Sequence, residues 1–142
     1  MAVQNPVIVV PGITATDLVD DYPLKADEIW TMVFNKAHDR IALHPDDLRY
    51  EAIEPAHVVA GQVFPVYRDL IHALRHELSA RADRPTPVFA FPYDWRMDVC
   101  ATAKKLGRFV DEVIARTKLL KHYGRAEDLK VDLVGHSMGG LV

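Results

Sequence analysis

Three short apolar runs separated by long helix-like stretches constrain the fold of this chain more than any other feature. The runs are Val7 to Val10, Val88 to Phe91 and Val131 to Val134, and the first consists only of β-branched residues. A strand without polar alternation is typical of a parallel sheet that is covered on both faces. For Val7 to Val10, a buried strand of an antiparallel sandwich is the alternative.

Two amphipathic stretches lie between the runs. Apolar residues recur at helical spacing from about Tyr67 to Ala82, and again from about Thr102 to Tyr123, where Gly124 marks a natural end. Strands joined through long helices need crossover connections, which make the strands parallel. The sequence therefore predicts an α/β fold with a mostly parallel sheet.

The segment from about 14 to 63 interrupts this regularity. Aspartate, proline and glycine punctuate it, and only short apolar groups such as Ile29-Trp30 remain. A structureless loop of this length is uncommon in a compact domain, so we expect a cap-like or lid-like insertion with small elements of its own. Trp30 and Phe34 are candidates for a lid that contacts lipid or, transiently, a membrane surface. In the alternative, Trp30 and Phe34 belong to a small hydrophobic core within the insertion itself.

Composition excludes several classes of protein. The 142 residues carry a net charge of -3 and are 49% hydrophobic, which is unlike a disordered chain or a basic nucleic-acid binder. The one cysteine, Cys100, excludes an internal disulfide framework, and we expect it to be buried. We find no signal peptide at Met1 and no apolar stretch of membrane-spanning length, so the expected location is cytoplasmic.

The strongest chemical signal is a G-x-S-x-G pattern centred on Ser137. It directly follows the third apolar run and precedes a glycine-rich helix start, the context of a nucleophile elbow. In such an elbow Ser137 occupies a strained turn at the end of a strand, with Gly135 and Gly139 small because other backbone passes close by. The alternative is an ordinary glycine-rich turn between a strand and a helix.

A serine nucleophile also needs donors for the oxyanion of the tetrahedral intermediate. In this type of fold one donor is the backbone N–H after the nucleophile, here Met138, and the second comes from the loop after an earlier strand. The loop after Val10 begins Pro11-Gly12, so we assign the second donor to the Ile13 N–H, with Thr14 as the nearby substitute. A simple tight turn is the alternative reading of Pro11-Gly12.

Three segments of the chain resemble the lecithin:cholesterol acyltransferase family. They are the strand and loop from Pro6 to Gly12, the segment from Phe91 to Arg96 with its Pro-Tyr-Asp-Trp-Arg sequence, and the elbow from Val134 to Gly140; the Ile29-Trp30 pair is also similar. The resemblance implies a three-layer α/β-hydrolase fold. It also implies acyl transfer through Ser137 from a lipid ester to an alcohol or to water, as in O-acyltransferases, phospholipases and lipases, with no cofactor.

The segment from Tyr93 to Arg96 follows a strand end, where open α/β sheets bind ligands. Trp95 is therefore a candidate substrate-binding residue, together with Trp30 and Thr14. In the structural alternative, which we favour, Trp95 packs while Asp94 pairs with Arg96 or caps the next helix. His72 and His76 have the spacing of metal ligands, but no carboxylate motif accompanies them, and we predict no metal site.

Two features depart from the family pattern. The loop after Gly12 reads Ile-Thr-Ala-Thr-Asp rather than the usual Gly-Asn type of segment, and all seven histidines precede Ser137, although the triad order in this fold is serine, acid, histidine. We expect His136 to pack beneath the turn. The apolar helix start at Gly139 to Val142 leads us to expect the N-terminal part of one longer domain. A general carboxylesterase and a non-catalytic remnant without the triad acid and histidine remain alternatives, and the oligomeric state is open.

Overall fold

The computed structural model describes residues 3–33 and 38–142. Phe34, one of the lid candidates, lies outside the described residues. In chain order the described strands are β1 (Val7–Val10), β2 (Thr16–Asp20), β3 (Asp27–Trp30), β4 (Leu43–His44), β5 (Asp47–Glu51), β6 (Val58–Val63), β7 (Val88–Ala90) and β8 (Asp132–Gly135). The helices are α1 (Arg68–Leu78) and α2 (Val99–Lys118), and single 3₁₀ turns cover His38–Ile41, Pro65–Tyr67 and Ser137–Gly140.

The three predicted apolar runs form one parallel sheet. Its order is β7-β1-β8, and Val9 in the central strand pairs with Ala90 on one side and Val134 on the other. The strand at Val7–Val10 is buried along its whole length, as the absence of polar residues predicts. Because all three strands run in the same direction, the loops that follow them emerge at one edge of the sheet.

The two helices cover opposite faces of this parallel sheet. On the face formed by Val7 and Val9, helix α1 contributes Ile71, Leu74 and Leu78. On the face formed by the alternate residues of β1, helix α2 contributes apolar residues that pack on Ile8 and Val10; these are Leu106, Phe109, Val110 and Val113. Each fully buried aliphatic side chain contributes about 1.5–3 kcal/mol, so this double coverage is a main source of stability.

Both helices are bounded by specific side chains at positions other than those predicted. Helix α1 ends at Leu78 rather than near Ala82, because the Ser79 hydroxyl donates to Arg75 O and accepts the Thr86 N–H at 2.8 Å. Helix α2 begins at Val99 rather than Thr102, because the Asp98 carboxylate accepts the Ala101 N–H at 3.0 Å as an N-cap.

The end of helix α2 precedes the expected stop at Gly124. After Lys118 the Leu119 and Leu120 N–H groups bond to carbonyls three residues earlier, so the chain tightens into turns. Tyr123 is thereby buried, and its hydroxyl donates to Gln4 O at 2.8 Å. This contact ties the end of the turn region to the segment that enters β1.

The segment from about 14 to 63 contains the remaining strands, and they are antiparallel. One sheet has the order β3-β2-β6, and β4 and β5 form a separate hairpin. The prediction of a mostly parallel sheet therefore holds for β7-β1-β8 but not for the described strands as a whole. The β2–β3 and β4–β5 connections are too short for a crossover helix, and short connections pair strands in opposite directions, whereas β6 returns to β2 across a longer stretch of chain.

The position of Cys100 differs from the expected burial. Cys100 is exposed rather than buried, because it lies in the first turn of α2 on the side away from Thr102 and Leu106, which face the core.

No helix in the described part of the chain combines the length and the apolarity that a membrane span requires.

Candidate active site

Ser137 lies in a strained backbone conformation immediately after β8. Its φ is 54°, in the left-handed region that non-glycine residues rarely adopt, and the 3₁₀ turn Ser137–Gly140 starts at this residue. The side chain is exposed at the edge of the sheet where the parallel strands end. Sparsely populated φ values of this kind cost about 1–3 kcal/mol, and they cluster at functional sites.

The glycines on either side of Ser137 lie where a side chain would collide with backbone. A Cβ built on Gly135 would lie 2.8 Å from Gly140 Cα, and one built on Gly139 would lie 2.2 Å from Val10 O. The close packing predicted for Gly135 and Gly139 is therefore present. It brings the turn after β8 against the end of β1.

The loop after β1 runs beside Ser137. The His136 N–H donates to Val10 O at 3.1 Å, and a Cβ built on Gly12 would lie 3.1 Å from the Ser137 Cβ. The parallel register of Val10 with Gly135 places these two loops side by side. The backbone predicted to supply both oxyanion donors thus adjoins the serine.

The two predicted donor groups are unengaged. Within residues 3–33 and 38–142, neither the Ile13 N–H nor the Met138 N–H donates a hydrogen bond. The Ile13 side chain is exposed, and Met138 packs its side chain against the core under α2. Thr14, the nearby substitute, has a φ of 62°, which is unusual for a β-branched residue.

Tyr67 connects the loop after β1 to the turn after β8, and the sequence patterns did not identify it as a site residue. Its hydroxyl oxygen accepts the Gly12 N–H at 2.9 Å and lies 2.7 Å from His136 Nδ1. His136 itself is exposed, so the expectation that it packs beneath the turn is wrong. The contact with Tyr67 is made by Nδ1 of the imidazole ring.

The three predicted substrate-binding residues lie together. Trp30 and Trp95 meet edge to face with ring centroids 5.2 Å apart, an arrangement that aromatic quadrupoles favour. The Trp30 indole N–H donates to Thr14 O at 3.4 Å, and the Trp95 indole N–H donates to Thr16 O at 3.0 Å. Both rings therefore attach to the chain that continues from the loop beside Ser137.

Asp94 and Arg96 form a buried ion pair, which confirms one of the two structural alternatives for this segment. The Arg96 Nη2 lies 2.7 Å from Asp94 Oδ2 and 3.5 Å from Glu51 Oε1, and all three side chains are at most 7% exposed. Arg96 also donates to Ile41 O at 3.0 Å. Since Asp98 caps helix α2, the capping role proposed for Asp94 is wrong.

Two buried aspartates on β2 have opposite pKa shifts. Burial raises the pKa of Asp17, and the nearby Glu28 carboxylate raises it further. Burial also opposes ionisation of Asp20, but its pKa is lowered because the backbone N–H groups of His57 and Tyr22 and the Arg40 guanidinium donate to the carboxylate. Neither residue was singled out by the sequence patterns.

The described residues do not complete a catalytic triad. The Ser137 hydroxyl has no hydrogen-bond partner within them. His72 and His76 are exposed on helix α1, and no group of three potential metal ligands comes together in the part of the chain that the structure describes. The arrangement offers an exposed hydroxyl next to the loop after β1, with two backbone donors that make no hydrogen bond within the described residues.

Comparison with known proteins gives one family. The family model described as lecithin:cholesterol acyltransferase matches residues 29–142, which is most of the chain and includes the segment from Phe91 to Arg96 and the turn at Ser137. At the level of the family, the match supports lipid acyltransferase or lipase-type activity. No curated protein and no solved structure gives a significant match.

Proposed function

The chain belongs to the lecithin:cholesterol acyltransferase family, and on that premise we propose that it transfers an acyl group from a lipid ester through Ser137. The acceptor is an alcohol, as in an O-acyltransferase, or water, as in a phospholipase or lipase. The observation that carries the proposal is the φ of 54° at Ser137, on a turn that adjoins the loop after β1. We further propose that these residues are the N-terminal part of a three-layer α/β-hydrolase domain, with the segment from about 14 to 63 as its cap.

The proposed reaction begins with attack of the Ser137 hydroxyl oxygen on the ester carbonyl carbon, while a general base removes the hydroxyl proton. The negative charge that develops on the carbonyl oxygen is stabilised by the N–H groups of Ile13 and Met138. One such donor is typically worth about 2.7–4 kcal/mol of transition-state stabilisation. The intermediate collapses with loss of the alcohol, which takes the proton, and an acyl-serine remains.

The second half of the reaction returns the enzyme to its starting state. The acceptor hydroxyl attacks the acyl-serine, its proton passes to the base, and the same two N–H groups stabilise the second oxyanion. Collapse of this intermediate breaks the bond between the acyl carbon and the Ser137 oxygen, which takes the proton back from the base, and the acylated acceptor leaves. In this fold the acid and the histidine follow the serine along the chain, and we propose that a histidine oriented by an acid is the base.

We propose that the Trp30 and Trp95 rings line the entrance for the acyl chain. Support comes from their edge-to-face contact and from their indole bonds to Thr14 and Thr16, which attach the rings to the loop beside Ser137. Indole rings bury apolar chain at small entropic cost. Thr14 joins this site through its carbonyl contact with Trp30.

The test compares the complete protein with its Ser137→Ala variant on phospholipid vesicles that contain a sterol or a diacylglycerol. Released fatty acid and newly formed ester are measured separately, which distinguishes hydrolysis from transfer. Cys100→Ala serves as the control, because Cys100 is an exposed nucleophile at the first turn of α2. We expect Ser137→Ala to abolish both products and Cys100→Ala to change neither.

Two alternatives give different outcomes. A general carboxylesterase would prefer short soluble esters and show no gain at a lipid interface. A non-catalytic remnant would form neither product in any form of the protein, and a fluorophosphonate would not label Ser137. Equal activity of the parent and of Ser137→Ala would contradict the proposal directly.

A further inference from the structure

Two tyrosines hold a single peptide group in the loop beside Ser137. The Tyr93 hydroxyl donates to the carbonyl oxygen of Pro11 at 2.8 Å, and the Tyr67 hydroxyl oxygen accepts the N–H of Gly12 at 2.9 Å. The Pro11 carbonyl and the Gly12 N–H belong to the same peptide bond. The carbonyl oxygen and the N–H group of that peptide therefore each form a hydrogen bond with a tyrosine hydroxyl.

The two phenols approach the peptide from opposite faces of the parallel sheet. Tyr67 belongs to the cluster formed with Val7 and Val9 on the α1 side, whereas Tyr93 belongs to the cluster with Ile8 and Val10 on the α2 side. In a planar trans peptide the C=O and N–H bonds point in opposite directions. One hydroxyl on each side thus fixes the rotation of the peptide plane.

That rotation controls where the next N–H points. The Gly12–Ile13 peptide follows directly, and its carbonyl oxygen accepts the Ala15 N–H at 3.3 Å, so the peptide that carries the Ile13 N–H is held next to the clamped one. Both tyrosines are almost fully buried, Tyr93 at 2% exposure and Tyr67 at 7%, and core packing therefore holds their rings in place. The two buried rings therefore hold the loop in place through their hydroxyl groups.

Tyr67 also connects the loop to the serine turn. A phenol has one hydrogen to donate, and its oxygen already accepts the Gly12 N–H. His136 Nδ1 lies 2.7 Å from the same oxygen, so the phenol that holds Gly12 also forms a hydrogen bond with the residue before Ser137. The orientation of the Gly12 loop and that of the residue before Ser137 are thereby coupled.

We propose that Tyr67 and Tyr93 are positioning residues that clamp the Pro11–Gly12 peptide and so aim the Ile13 N–H at the oxyanion formed at Ser137. This inference rests on the proposed function of Ser137 as nucleophile. Neither tyrosine touches the reacting atoms. Their effect is on geometry, and displacement of a catalytic group by about 1 Å costs on the order of 100-fold in rate.

The experiment replaces each hydroxyl singly by hydrogen, with Tyr67→Phe and Tyr93→Phe in the complete protein. Tyr123→Phe is the matched control, because Tyr123 is 1% exposed and its hydroxyl also donates to a backbone carbonyl, that of Gln4, which precedes β1 rather than following it. Active sites are titrated with a fluorophosphonate, so that kcat refers to folded protein alone. Inhibition by an alkyl boronic acid, which adds to the serine and presents a tetrahedral oxyanion, is measured in parallel.

We expect Tyr67→Phe and Tyr93→Phe to lower kcat per titrated site by roughly 10- to 100-fold, to weaken boronate inhibition by a similar factor, and to leave KM unchanged. Tyr123→Phe should lower only thermal stability. A kcat per titrated site equal to that of the parent in both variants would overturn the clamp, because a merely structural role changes the amount of folded protein and not its turnover.

A second measurement needs no variant to fold. The Gly12 amide, bound to a buried phenol, should exchange its hydrogen slowly in the unmodified protein, and free exchange would overturn the clamp. Ser137→Ala is assayed alongside to separate the two proposals. If that variant keeps its activity, the nucleophile assignment fails, and the Gly12 exchange rate still decides whether the tyrosines hold the loop.

Discussion

Gly139 and the carbonyl oxygen of Val10 are in backbone contact, with no room for a side chain between them. A Cβ built on Gly139 would lie 2.2 Å from Val10 O and 2.5 Å from Pro11 O. The turn that presents Ser137 is therefore seated directly on the end of the central strand. The position of the serine hydroxyl depends on this contact between two backbones.

Replacement of Gly139 by alanine should separate the two backbones. We expect Gly139→Ala to lower the free energy of unfolding by about 1–3 kcal/mol, since overpacking at backbone has no flexible neighbour to absorb it. Gly140→Ala is the control, because a Cβ there would meet nothing within 4 Å. Urea unfolding of both variants checks the prediction, and equal effects at the two glycines would contradict it.

Relief of the backbone strain at Ser137 should raise the thermal stability of the protein. Ser137→Ala keeps a Cβ at a φ of 54°, whereas Ser137→Gly removes it. The left-handed conformation costs non-glycine residues about 1–2 kcal/mol, so the glycine variant should unfold at a higher temperature than the alanine variant. Differential scanning calorimetry of the pair measures this, and a more stable alanine variant would refute the strain.

The buried pair of Asp94 and Arg96 has a counterpart on the surface that allows a matched comparison. Asp47 and Arg49 have the same order and spacing, with Arg Nη2 to Asp Oδ2 distances of 2.8 Å there and 2.7 Å in the buried pair. Arg49 is 79% exposed and Arg96 is 5% exposed. The two Arg–Asp pairs therefore have the same geometry but differ in how deeply they are buried.

We expect Arg96→Ala to cost about 3–5 kcal/mol of stability, because it leaves the Asp94 and Glu51 carboxylates buried without their cation. Arg49→Ala should cost far less, since water screens exposed pairs. The comparison is made by urea denaturation at neutral pH. A similar cost for both substitutions would show that burial does not determine the strength of these pairs.

Two aspartates three residues apart should give opposite dependences of stability on pH. The lowered pKa of Asp20 means that the folded state favours its carboxylate, so its contribution is present above the ordinary value of 3.8 and is lost as pH falls through the lowered pKa. We expect Asp20→Asn to destabilise the protein at pH 7 by about 1–3 kcal/mol and to converge with the parent in acid.

The sign reverses at Asp17. Because burial raises the pKa of Asp17, its ionisation costs stability above that raised pKa, and the cost disappears as pH falls toward 3.8. Asp17→Asn should therefore stabilise the protein at pH 7 and lose this advantage in acid. Thermal unfolding of both variants between pH 3 and 7 measures the two trends, and curves that run parallel to the parent would contradict them.

Local sequence signals predicted what lies close together in the chain. The β-branched run at Val7 to Val10 and the glycines around Ser137 specify a buried strand and a tight turn with no reference to distant residues. The predicted parallel arrangement likewise follows from the long stretches between strands.

Contacts between distant residues could not be predicted in the same way. Tyr67 is 55 residues from Gly12 and 69 from His136, and in the sequence it is one more apolar residue at a helix start. Cys100 was misplaced because burial depends on which side of α2 meets the sheet, and that side is set by the start of the helix at Asp98. Sequence periodicity carries neither piece of information.

The most direct test of the account is to trap the acyl-enzyme. The complete protein is incubated briefly with a p-nitrophenyl ester, quenched in acid and digested, and the peptide that contains Ser137 is examined by mass spectrometry. We predict that the acyl mass is found on Ser137 in the parent and is absent from Ser137→Ala, which also loses turnover. Turnover of the ester with no acyl group on Ser137, or turnover that survives in Ser137→Ala, would contradict the account.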